Sequence, residues 1–124
     1  MKLHLLPSPL GLTRLESVDD ITMADFQDGR NPLEPLLGPA GYAGTVLLDL
    51  ARSTYIDSTG VGWLIQCHAR FNKAGGKLML HSIPPMVNHC FRVLGMYDVL
   101  RIADDEASAL KLVEASLPQS APVA

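Results

Sequence analysis

Thr45-Val-Leu-Leu-Asp-Leu50 and, a few residues on, Tyr55-Ile-Asp-Ser-Thr-Gly-Val-Gly62 decide how this chain is read. The first stretch is a short, nearly continuous apolar run, the pattern of a strand buried on both faces. The second is a junction, because from Val61 to Ala74 the apolar residues change to helical spacing. At about 100° per residue, Val61, Leu64, Ile65, His68 and Phe71 share one side, and Trp63, Gln66, Arg70 and Lys73 share the other. Leu64 and Phe71 are therefore expected to lie against a sheet. Gly75-Gly76 supplies a left-handed residue to end the helix, and Lys77-Leu-Met-Leu-His-Ser82 follows at once as a second strand.

The same alternation continues outward. Pro84-Pro85 opens a short helix through Leu94, since proline is tolerated in a first turn, and Gly95 closes it. Val99-Leu-Arg-Ile102 reads as a minor strand. Asp104-Asp-Glu106 places acid at the positive end of a last helix, which is expected to reach about Leu117. Residues 1–117 thus read as one α/β domain, with 118–124 as a flexible carboxy-terminal tail. Upstream, weak strands are expected near Leu10 to Leu15 and Ile21 to Met23. The Pro- and Gly-rich stretch from Gly29 to Gly44 allows at most a short helix around Leu33 to Leu37.

Composition narrows the function. With 124 residues and 48% hydrophobic content, the chain suits one domain with a proper core. The formal charge of −3 and the absence of any basic run argue against nucleic acid as a partner. Pro7 and Pro9 interrupt the opening stretch before it could form a signal-peptide core, and no run approaches the roughly 20 apolar residues of a membrane span. Two cysteines, Cys67 and Cys90, do not make a secreted disulfide framework, so a cytoplasmic location is expected.

The informative chemistry lies at the junction. A helix start carries unsatisfied N–H groups and about half a positive charge, so it accepts a carboxylate, a capping hydroxyl or a phosphate. Asp57 or Ser58 could act as a plain cap, both being preferred residue types there. Gly60 and Gly62 are harder to explain as helix residues, since each costs up to about 1 kcal/mol against alanine. Their missing side chains would leave the backbone open to close approach by another molecule. Trp63, the sole tryptophan, either packs under the irregular amino-terminal region or serves as an exposed interface anchor.

Other chemistries fit poorly. The glycines of Gly60-Val-Gly62 stand too far beyond the strand for a dinucleotide fingerprint, and no Gly-Lys-Ser/Thr marks a phosphate loop. Cys67-His68 and His89-Cys90 are adjacent pairs, which point apart on a helix and lack zinc-ligand spacing. Around Ser58 there is neither a Gly-x-Ser-x-Gly elbow nor a recognisable His and acid pair. No catalytic residue, metal or cofactor is therefore expected.

Taken together, Val46 to Leu50, Ile56-Asp-Ser-Thr-Gly-Val-Gly62 and Gly75-Gly-Lys-Leu78 resemble the STAS domain of bacterial anti-sigma factor antagonists. The similarity runs on through Pro85-Met-Val87, Val93-Leu-Gly95 and Asp105 to Leu110, and is strongest over residues 45–114. The resemblance implies a mixed, largely parallel sheet with helices packed mainly against one face. It implies a non-enzymatic, protein-binding module in a partner-switching pathway that regulates transcription. It also implies a partner that is both serine kinase and anti-sigma factor, which uses the ATP, and a phosphatase that reverses the modification. By position the phosphorylated hydroxyl is Ser58. Asp57, Ser58, Thr59, Gly60, Gly62 and Trp63 are then the expected partner-binding residues. A fixed scaffold module in a larger signalling assembly, or a nucleotide-binding domain of the same fold, are the alternatives. From Gly11 to Gly44 the sequence departs from the family pattern of a first strand pair followed by a well-formed helix.

Overall fold

A computed structural model describes residues 1–8, 11–37 and 41–116 of the chain. The expected tail from Pro118 lies outside the described residues. Five strands form one sheet in the order β1 (Lys2–Leu6), β2 (Leu12–Val18), β3 (Thr45–Arg52), β4 (Lys77–His81), β5 (Arg101–Ala103). β1 pairs antiparallel with β2, and every other neighbouring pair is parallel. The helices are α1 (Glu34–Leu37), α2 (Ser58–Ala74), α3 (Pro85–Val93) and α4 (Glu106–Ser116), with 3-10 turns at Met23–Phe26, Gly41–Ala43 and Met96–Asp98. The expected mixed, largely parallel sheet is therefore present.

The two-residue period of β3 divides its side chains between two cores. Val46, Leu48 and Leu50 join Leu78 and Leu80 of β4 beneath α1, α2 and α3, where Leu64, Phe71 and Phe91 have no exposed surface. Leu47 points the other way, to Met79, Ala103 and the α4 residues Ala109 and Val113. Helices thus lie mainly on one face, and α4 covers the other.

The amino-terminal third holds the largest departures from expectation. Lys2-Leu-His-Leu-Leu6 is an edge strand where none was expected, so the first strand pair is in place after all. Ile21 makes an isolated bridge to Ile56 and belongs to no strand, so the expected strand at 21–23 is replaced by that bridge and the following 3-10 turn. At the other end, the minor strand begins two residues late. Met96–Asp98 takes up the preceding segment as a 3-10 turn, and β5 is Arg101–Ala103.

Parallel pairing brings the carboxyl ends of β2, β3 and β4 to the same end of the sheet, where an open α/β sheet offers its binding crevice. The junction of the opening motif lies there.

Candidate partner-binding site

The backbone before α2 is held against the loop after β2. Buried Ser17 Oγ and Ser53 Oγ share a 2.6 Å hydrogen bond. Ile21 N–H donates to the Tyr55 carbonyl at 3.0 Å, and Asp57 N–H donates to the Ile21 carbonyl at 3.1 Å. These bonds place Asp57 at the N-cap of α2 with extended backbone. Its Oδ1 accepts from Gly60 N–H at 2.9 Å, and its Oδ2 accepts from Met23 N–H at 2.9 Å. One carboxylate therefore caps the helix and ties down the 3-10 turn at Met23–Phe26.

Asp57, not Ser58, is the cap. Ser58 is the first residue of α2 and is exposed, and among the described residues nothing in the protein bonds its hydroxyl. Thr59 is exposed beside it.

The two glycines separate. A Cβ on Gly60 would lie 2.7 Å from Ile56 Cγ1 and 2.8 Å from the Ile21 carbonyl oxygen, so Gly60 is required by close packing inside the protein. Gly60, expected among the residues that touch a partner, is buried and shapes the junction from within. A Cβ on Gly62 would meet nothing within 4 Å. No internal contact accounts for glycine there.

Trp63 takes the first of its two expected places, packed under the amino-terminal region. It retains only 6% of its surface and is no exposed anchor. Its ring lies 5.4 Å from that of Phe26, and its Nε1–H donates to Asn31 Oδ1 at 2.9 Å. Asn31 Nδ2 in turn donates to Tyr42 Oη at 3.0 Å. The tryptophan fastens the irregular amino-terminal region onto α2, and the buried stripe of the helix is widened to include Cys67. Burial pushes the Cys67 thiol up to about 12, which leaves it uncharged and unreactive at neutral pH.

Sequence reasoning missed the wall opposite α2. Phe26, Arg30 and Asn31 face Thr59, Gly62, Gln66 and Arg70 across a surface cavity of about 440 Å³. The helix side was readable, since these four residues recur at three- and four-residue steps. The loop side carried no periodic signal. Among the described residues no group of three or more His, Cys, Asp or Glu side chains is arranged to hold a metal ion, and no helix is long and apolar enough to cross a membrane.

The STAS domain family model matches residues 12–109, which includes the whole junction and all strands from β2 onward. This chain belongs to the STAS domain family. Over 69 residues the STAS chain is 26% identical to the anti-sigma F factor antagonist of Paenibacillus polymyxa, covering 56% of its own length and 59% of that relative. It is 27% identical over 74 residues to BtrV of Bordetella bronchiseptica, named as an anti-sigma factor antagonist, covering 60% and 64% of the two chains. The match thus spans about three fifths of each curated relative.

Solved structures share the fold. A Thermotoga maritima protein described as an anti-sigma factor antagonist superposes with a TM-score of 0.76 at 17% identity, over 86% of this chain and 90% of that one. The Bacillus cell fate determinant SpoIIAA in its phosphorylated form gives 0.62 at 16% identity, over 90% and 98%. The murine anion transporter Slc26a9 gives 0.72 at 16% identity, over 86% of this chain but 18% of the transporter. At such identities the likeness establishes the fold alone.

Proposed function

We propose that this STAS domain is an anti-sigma factor antagonist whose grip on its partner is set by phosphorylation of Ser58. The observation that carries the reading is the division of labour at the start of α2. Asp57 does the capping, and Ser58 presents an unengaged hydroxyl at the exposed end of the helix. Curated relatives named as anti-sigma factor antagonists point to the same partner class.

The physical logic has two sides. A phosphate at the first helical position suits the helix dipole, so the fold tolerates it. The same group adds about −1.5 to −2 charge beside the fixed Asp57 carboxylate, so a partner fitted to the neutral serine meets repulsion and a desolvation cost. Phosphorylation then changes binding without unfolding the domain. ATP is consumed by a partner that is serine kinase and anti-sigma factor in one, and a phosphatase restores the binding form. Such an exchange belongs in the cytoplasm, and this chain acts in it as a binder without catalytic chemistry of its own.

The test starts from affinity purification out of the native cell. The recovered ATPase-type partner is incubated with ATP and with wild-type or Ser58→Ala protein, and phosphopeptides are mapped by mass spectrometry. The proposal expects one modified site, Ser58, and no label in the variant. Label at another residue, or undiminished label in Ser58→Ala, contradicts it.

A further inference from the structure

We infer that the groove between α2 and the Phe26–Asn31 segment receives an acidic segment of the anti-sigma partner, which lies against the bare backbone at Gly62. This inference rests on the switch reading above and names the path the partner takes from Ser58.

Gly62 sits in the first turns of a helix, where glycine is the least favoured residue short of proline, and among the described residues nothing lies within 4 Å of where its Cβ would be. What the absent side chain leaves open is the groove that Gly62 lines. Along its floor run Thr59, Gly62, Gln66 and Arg70, beginning one residue from Ser58. A second depression of about 530 Å³ shares Arg30, Asn31 and Arg70 and continues towards Pro35, so the groove is elongated and suits a length of chain.

Charge selects the occupant. Two guanidinium groups, Arg30 and Arg70, line both cavities, against one carboxylate, Glu34, which lines the second cavity alone, in a chain of net charge −3. Arg30 Nε is 3.4 Å from Asp28, and Arg70 Nη1 is 2.5 Å from Glu34. Each guanidinium offers five N–H donors, so both retain donors for an incoming carboxylate. A phosphate on Ser58 would stand at the mouth of this groove and repel an acidic segment, which gives the switch its lever.

The experiment titrates the purified ATPase-type partner against wild type, Gly62→Gln, Gly62→Ser, Arg30→Glu and Ser58→Asp, with thermal melts of each. Arg30 is 84% exposed at its side chain, so folding does not depend on it. Melting temperatures of both Gly62 variants are expected at or above wild type, since either residue suits a helix better than glycine. Affinity is expected to fall about tenfold or more for Gly62→Gln and for Arg30→Glu, the latter loss shrinking as salt rises. Wild-type affinity in either of these two variants, with loss in Ser58→Asp, overturns the groove and leaves the switch standing. Wild-type affinity in Ser58→Asp overturns the switch reading and this inference with it. A dimer of the protein alone that Gly62→Gln dissociates in sedimentation would assign the groove to a second copy and also overturn it.

Discussion

Replacing Asp57 with alanine removes the acceptor for both Gly60 N–H and Met23 N–H. A lost N-cap costs about 0.5–2 kcal/mol, and the second acceptor is lost with it, so a urea titration of Asp57→Ala should show a loss of about 1 kcal/mol or more. Ser58→Ala, at an exposed position whose hydroxyl has no hydrogen bond among the described residues, should stay within about 0.5 kcal/mol of wild type. Gly60→Ala should be destabilised by about 1–3 kcal/mol, because its Cβ would press on the Ile21 backbone. The sequence showed the motif but not how its residues divide the work. Asp57 and Ser58 are both good caps, and Gly60 and Gly62 are the same letter. What separates them is Ile21, Met23 and Ile56, and the first two reach the junction only through the pairing of the loops after β2 and β3.

Among the elements, α2 was the most legible, because its apolar period, its capping residues and its terminal glycine agree. Leu64 is fully buried beneath it, so Leu64→Ala should cost about 2–5 kcal/mol through the cavity it leaves, measured by denaturant titration. Trp63 was harder to place. Its position on the polar side of the helical wheel left packing under the amino-terminal region and an exposed anchor both open, and nothing in the sequence names Phe26 and Asn31 as the residues that fold over it. Trp63→Phe keeps much of the packing but loses the bond to Asn31 Oδ1, and should expose the amino-terminal segment to limited proteolysis ahead of the sheet. β1 escaped notice because its three leucines form only a five-residue stretch cut off by Pro7 and Pro9 and, as an edge strand, it stays half-exposed, its identity coming from the partner β2. β5 was foreseen but misplaced, since Val99 and Leu100 carry strand-like residues into the end of a 3-10 turn.

At the scale of the whole molecule, the sheet separates two cores, and its α4 side holds a buried histidine. Burial pushes the His81 imidazole below the ordinary histidine value of 6.5, although Asp49, Glu106 and Asp105 pull it upward while Arg14 adds to the depression. The folded state therefore prefers neutral His81, and the unfolded chain takes up a proton first as pH falls. Stability present at pH 7.5 should decline as pH drops through 6.5 towards the lowered folded value. His81→Gln should flatten that decline between pH 7.5 and about 5.5, with His68, also pushed down by burial, accounting for part of the remaining slope. Whether Ser58 governs how the intact domain meets another protein is decided by a binding titration against the purified ATPase-type partner. Wild type and Ser58→Ala should bind alike. Ser58→Asp, whose charge suits the helix start, should melt within a few degrees of wild type yet bind at least about tenfold more weakly. Equal affinity for all three proteins would contradict the claim that Ser58 is the switch.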